Sequence, residues 1–259
     1  MRNIKLIIQY DGTNYCGWQR QKDYPSIQET LEAALSEILQ EDIVLTAAGR
    51  TDSGVHAHAQ VANFKTASSL ETKRIFMAIN SFIPKDIRVT NCEEVPIDFH
   101  ARFSAIKREY KYLIHNNIIC PPFIRAYTHF VKPPLNVKKL DSTLQFLCGE
   151  HDFTSFASSK DESENKVKTI YSIKLDHRLP DISIHILGTS FLRKMVRMIM
   201  GCALSICLKG LPEDEILRVL SLKDRKAHQY PTAPPQGLYL NKIYYDESLV
   251  NRSISSRAS

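Results

Sequence analysis

The residues that could do chemistry fall in three short stretches. The first is "GRTDSG", Gly49 to Gly54, where Arg50 and Asp52 stand two apart between glycines. A plain hairpin connection would use Gly49, Asp52 and Gly54 to turn the chain. No turn type needs Arg50. A carboxylate with a guanidinium within about 4 to 6 Å stays ionised and can serve as nucleophile or base. The second stretch is "KREYKYLI", with Arg108, Tyr110 and Tyr112, and the third is "FLRKMVRMIMG", with Arg193, Lys194 and Arg197. Val196, Met198, Ile199 and Met200 surround Arg197 with apolar side chains, so a guanidinium buried there needs a carboxylate partner, for which Asp52 is the natural candidate. Each stretch also has a plainer reading: a turn for the loop, a core aromatic for Tyr110, a solvated helix position for Arg197.

The elements that must hold these stretches can be read from hydrophobic periodicity. "IKLIIQY" alternates as a strand; "SIQETLEAALSEILQ" opens with a capping box, Ser26 and Glu29, before Leu31, Ala34, Leu35, Ile38 and Leu39 form one helical face. Strands "DIVLTAA" and "VHAHAQVANFKT" follow, then a helix over about Glu71 to Phe82 that Pro84 ends, then the strand "DIRVTNCEEV". This is the βαββαβ order of a ferredoxin-like unit. The order returns with longer loops: strand "REYKYLIHN", a helix around Val137 to Cys148 stopped by Gly149, strands "VKTIYSIKLDH" and "DISIHILG", a helix over about Phe191 to Lys209, a short one at Glu213 to Leu222, and the strand "GLYLNKIYY".

The expected architecture is therefore α+β: two ferredoxin-like halves, 1–105 and 106–249, joined edge to edge into one extended, mainly antiparallel sheet. Helices pack on one side, and a basic cleft lies between the halves. "KDESENK", Lys160 to Lys166, reads as a mobile solvent loop and 250–259 as a flexible tail.

Composition narrows the class of function. The 259 residues are 43% apolar and 24% charged, with a formal net charge of +6, which suits a polyanionic partner such as nucleic acid. The longest apolar run, Met195 to Leu208, is interrupted by Arg197, Cys202, Ser205 and Cys207, so no bilayer span is expected. The N-terminus lacks the apolar stretch and cleavage site of a signal peptide, so a cytoplasmic protein is expected. Six scattered cysteines show neither a C-x-x-C motif nor a disulfide spacing, and no Cys or His completes a ligand set around His56 and His58, so neither a metal nor another cofactor is expected. A zinc-dependent base deaminase would need H-x-E and P-C-x-x-C, which are absent. A non-catalytic RNA-binding sheet stays open on these grounds, although it would have no use for the charge of Asp52.

Six blocks in order, "YDGTNYCGWQRQ", "AGRTDSGVHA", "DFHARFSA", "REYKYLI", "MVRMIMG" and "GLYL", resemble the TruA family of tRNA pseudouridine synthases over about Ile4 to Tyr245. The resemblance implies isomerisation of uridine to pseudouridine in the anticodon stem-loop of tRNA, at the positions numbered 38, 39 and 40, by a homodimer without a cofactor. It implies Asp52 as catalytic nucleophile, with Arg50 essential beside it and Tyr110 in the active site. Arg50 would hold the site opened by the flipped base and Tyr110 would stack on the uracil. Arg20, Lys107, Arg108, Arg193 and Lys194 lie in or beside these blocks and are expected to neutralise phosphates of the tRNA. Glu109 stands where family members often carry a second basic residue.

Overall fold

The structure, a computed structural model, describes residues 1–246. The expected tail 250–259 lies outside them. The described chain divides into two compact units, Met1–Arg108 with 240–246, and Glu109–Tyr239. This division returns the chain to the first unit at Leu240, where the sequence counts the last strand with the second half. The architecture is mixed α+β with a large, mostly antiparallel sheet, in which the strand His129–Val131 runs parallel to the strand Ala105–Asn116.

The first unit runs β1 (Arg2–Tyr10), α1 (Ile27–Leu39), β2 (Thr46–Ala47), β3 (His56–Thr66), α2 (Thr72–Phe82) and β4 (Ile87–Val95). Its strands lie in the order β4-β1-β3, with β2 on β3 and every neighbour antiparallel. Ile4, Leu6 and Ile8 alternate along β1 and are fully buried, as are Leu31 and Leu35 of α1 and Ile75 and Ile79 of α2. The opposite face of β1 is covered too. Lys5, 6% exposed, pairs with Glu93 at 2.6 Å and lies over the rings of Phe99 and Tyr245.

Of the capping box expected at α1, the Ser26 half is present: Ser26 Oγ accepts from Glu29 N at 3.4 Å. The strand expected over "DIVLTAA" shrinks to two residues. Side chains of α1 take the backbone donors that a longer strand would give to a ladder: Ile43 N goes to Ser36 Oγ and Leu45 N to Glu32 Oε1, at 3.0 and 2.8 Å.

The second unit contains β5 (Ala105–Asn116, entered from the first unit), β6 (His129–Val131), α3 (Val137–Gln145), β7 (Gly149–Asp152), β8 (Val167–Arg178), β9 (Asp181–Gly188), α4 (Met195–Leu208) and α5 (Glu215–Ser221). The order is β5-β9-β8-β7, with β6 parallel to β5. The last strand, β10 (Leu238–Tyr245), returns the chain to the first unit.

Two helices are shorter than periodicity suggests. Gly149 does not stop α3; it opens β7 at φ +110 after a turn over Phe146 to Cys148. Helix α4 starts at Met195 because the backbone before it is otherwise engaged: Arg193 N donates to Asp161, Arg193 O accepts from Ser158 N, and Lys194 is left-handed at φ +64. The same contacts tie down Asp161 and Lys166 within the expected solvent loop Lys160 to Lys166, whose other residues are exposed. The Asp161 carboxylate is 5% exposed and accepts from Lys166 Nζ (2.6 Å), Ser163 N (3.0 Å) and Arg193 N (2.6 Å). Burial alone would raise its pKa, but these bonds outweigh it and hold the carboxyl below the usual range.

Candidate active site

Asp52 sits in the irregular segment 48–55 between β2 and β3, half-buried, beside an exposed Arg50 and a buried Thr51. Nearly every peptide of this segment is fastened. Ala48 N donates to Val61 O at 2.8 Å, and the carbonyls of Ala48, Gly49, Thr51 and Asp52 accept from Arg108, Gln60 Nε2, Trp18 N and Val55 N. Gly54 N and Ser53 Oγ both donate to Tyr15 O at 3.3 Å, and Thr51 Oγ1 meets the Tyr10 hydroxyl at 2.8 Å. Such a loop holds its carboxylate in one place without relying on regular structure.

Two glycines outside the loop make that seating possible, and sequence reading passed them over. A Cβ on Gly12 would fall on the carbonyl of Val55, and one on Gly17, at φ +92, would fall on Thr51 O and within 3.0 Å of Asp52 C. The segment "YDGTNYCGW" is therefore a cradle against which the loop lies backbone to backbone. It is anchored by Trp18, 2% exposed, and by the Tyr15 hydroxyl, which donates to Asp86 at 2.8 Å. Burial and that bond push the Tyr15 phenol up, so it stays a donor. The signal was the glycines themselves, Gly17 next to Trp18 and Gly12 two residues after Tyr10, in a stretch with neither helix nor strand periodicity.

His56, 1% exposed, serves the cradle as well: its Nδ1 accepts from Gly12 N at 3.1 Å. His58 is exposed and bonds Asn241 at 3.0 Å. Among the described residues no group of three His, Cys, Asp or Glu side chains is arranged to hold a metal ion. None of their helices is long and apolar enough to cross a membrane.

In the second unit Tyr110 lies on β5, 9% exposed, with its ring edge-on to Phe191 at 5.0 Å between centroids. Tyr112, two residues on, is a core residue: fully buried, its hydroxyl donates to Pro234 O at 2.9 Å, and burial pushes its phenol up. Gly237 of the "GLYL" block completes that packing, since a Cβ there would come within 2.9 Å of the Tyr112 ring. Arg197 lies in the first turn of α4, half-buried, and clasps Ala233 in both directions: its Nε donates to Ala233 O at 2.8 Å, and its carbonyl accepts from Ala233 N at 3.0 Å. Gly201, a turn later, lets the chain at Pro231 lie against the helix.

The basic residues expected to meet phosphates are placed diversely. Arg193 and Lys194 are exposed at the entrance to α4, and Lys107 is half-buried on β5. Arg20 pairs at 2.8 Å with Glu32, which is 4% exposed. Arg108 turns inward, giving Nη2 to both Ala48 O (3.1 Å) and Arg102 O (2.8 Å), so it braces the loop of Asp52. Glu109, the departure from a basic residue, pairs with His185 at 2.8 Å.

Comparison with known proteins now bears on this geometry. Residues 6–104 and 144–246 match the family described as tRNA pseudouridine synthase. The chain belongs to that family. The family isomerises uridine to pseudouridine in tRNA, so the chain is an isomerase.

Proteins named tRNA pseudouridine synthase A are similar along almost the whole length. The one from Thermoanaerobacter sp. (strain X514) is 40% identical over 95% of this chain and 100% of its own. That of Ruminiclostridium cellulolyticum is 42% identical over the same shares, and that of Pseudothermotoga lettingae 42% identical over 94% and 99%. The family match takes in Arg50, Asp52, Arg193, Lys194 and Arg197. Lys107, Arg108 and Tyr110 lie between its two stretches.

Proposed function

We infer that this isomerase converts uridines at positions 38, 39 and 40 in the anticodon stem-loop of tRNA, with Asp52 as its nucleophile. The observation that carries the reading is the half-buried carboxylate of Asp52 on a segment whose backbone is fastened on both sides of it. A turn made only to connect β2 and β3 would not need a cradle of two glycines.

The reaction breaks the bond from ribose C1' to N1, turns the base, and joins C1' to C5. N1 gains a proton and C5 loses one. Reactant and product are isomers, so the step calls for no oxidant or reductant. Asp52 in its ionised form adds to an electrophilic carbon of the target nucleotide, C1' as N1 departs or C6 of the ring, and that bond breaks again once C1' is joined to C5, which frees the carboxylate. The base must first leave its stack, at a cost of a few kcal/mol. Exposed Arg50 fills the opened site, Tyr110 offers its ring to the flipped uracil, and Arg197 serves the reaction and not the phosphates. Arg193, Lys194, Lys107 and Arg20 receive the phosphates, with the exposed Arg193 and Lys194 the strongest of the set, while Arg108 keeps to bracing the loop. The enzyme works as a homodimer in the cytoplasm.

Release of tritium from tRNA labelled at uridine C5 tests the reading, because forming a bond from carbon to carbon at that atom expels it. Release from positions 38 to 40 is expected. Release confined to other positions would refute the site assignment, and no release would refute the reaction.

A further inference from the structure

In the first unit the turn Phe99 to Ser104 lies against the sheet face opposite Ile4, Leu6 and Ile8, and its backbone is almost fully clasped. Phe99 O accepts from Asn3 Nδ2, Ala101 N donates to Asn63 Oδ1, and Ala101 O accepts from the Tyr245 hydroxyl, at 2.9, 2.8 and 2.8 Å. Arg102 N and Phe103 N both donate to His100 Nδ1, at 3.2 and 3.3 Å, while His100 N and O bond Ser104. The remaining anchor is Arg108, whose Nη2 joins Arg102 O to Ala48 O, so the turn and the loop of Asp52 share one guanidinium.

This rigid turn presents a phenylalanine to solvent. Phe103 is 76% exposed, stands on the His100 ring at 4.3 Å, and has the Arg102 guanidinium 5.6 Å from its centroid. An exposed apolar side chain alone needs no explanation. A phenylalanine fixed by so many backbone bonds, flanked by a cation, and latched to the catalytic loop has the composition of a base-stacking platform.

We propose that Phe103 and Arg102 bind an unpaired nucleotide of the substrate RNA next to the target uridine, the base stacking on the Phe103 ring and its phosphate meeting Arg102. The proposal rests on tRNA being the substrate. It favours RNA over a protein partner because the chain carries a net charge of +6 and the ring is bordered by a guanidinium. Bases unstacked in RNA loops are the usual targets of such aromatics.

The test uses the full-length protein with a tRNA anticodon stem-loop and a blunt RNA duplex. Phe103→Ala should weaken stem-loop affinity by about 5- to 100-fold, the range that loss of one stacked base produces, and Phe103→Trp should restore it. The natural Trp18 is 2% exposed, so indole fluorescence gained at position 103 reports the platform; it should be quenched by the stem-loop and not by the duplex. Arg102→Ala should flatten the salt dependence of binding by about one unit.

Unchanged affinity in Phe103→Ala, or equal quenching by the duplex, would overturn the proposal. So would a change in sedimentation of Phe103→Ala without a change in RNA affinity, which would assign the ring to contact between copies of the chain. Tritium release by the wild-type protein, run alongside, separates failure of the platform from failure of the reaction.

Discussion

In the first unit Asp52 stands on irregular backbone, residues 48–55, held by hydrogen bonds from four other segments and by two glycines that let the chain come close. In the second, Tyr110 and Arg197 stand on a strand and on the first turn of a helix, where regular hydrogen bonds place the backbone and side-chain packing places the rest. The difference predicts how each region fails. The loop should be sensitive to a single methyl group added to a neighbouring segment that carries no functional side chain, whereas β5 and α4 should respond chiefly to loss of the functional side chain itself.

The largest effect expected from this comparison is at Gly17. Gly17→Ala must strain a residue at φ +92 and push on Thr51 and Asp52 at once, and a displacement near 1 Å costs on the order of 100-fold in rate. Single-turnover isomerisation should fall by about that factor, while tRNA affinity and far-ultraviolet circular dichroism stay near wild type. A rate within a few fold of wild type would remove the cradle from the account.

That cradle marks the limit of what sequence reading could reach. The N-cap at Ser26, the long strands and the polar loop were legible because each follows from local periodicity or turn chemistry. Gly12 and Gly17 were not, since what they touch lies tens of residues away in sequence and only the close approach of two backbones explains them. Glu32 was missed for a related reason. It occupies a helical position that periodicity assigns to neither face, yet it is buried because Leu45 N, Gln28 and Arg20 satisfy it. The shortened start of α4 likewise depends on Asp161, thirty-odd residues upstream. Tyr110, by contrast, looks like an ordinary strand residue that only its place in a family-like block singled out, whereas Arg197 was already marked by the apolar residues around it in sequence.

A smaller effect is expected at Tyr110. Tyr110→Phe retains the ring that lies edge-on to Phe191 and should keep isomerisation within about 10-fold of wild type. Tyr110→Leu loses the aromatic contact and should fall well below Phe in both rate and thermal stability. Equal loss in the two variants would move the function of Tyr110 from its ring to its hydroxyl.

The smallest effect separates the two arginines of the third stretch. Arg193 is exposed and its fold contacts run through its backbone, so Arg193→Ala should leave the fold intact and flatten the salt dependence of tRNA binding by about one unit. Arg197→Ala should lower the isomerisation rate and barely change that slope. Equal flattening in both variants, measured by titration across salt, would erase the division between phosphate-binding and active-site arginines.

The most direct measurement compares Asp52→Asn with wild type in two assays on the same preparation: single-turnover tritium release from tRNA labelled at uridine C5, and equilibrium binding of that tRNA. The amide keeps the size of the carboxylate and removes its charge. The account predicts no detectable release with affinity changed by no more than a few fold, because Asp52 serves the reaction and not the phosphates. Release at a rate comparable to wild type would contradict it.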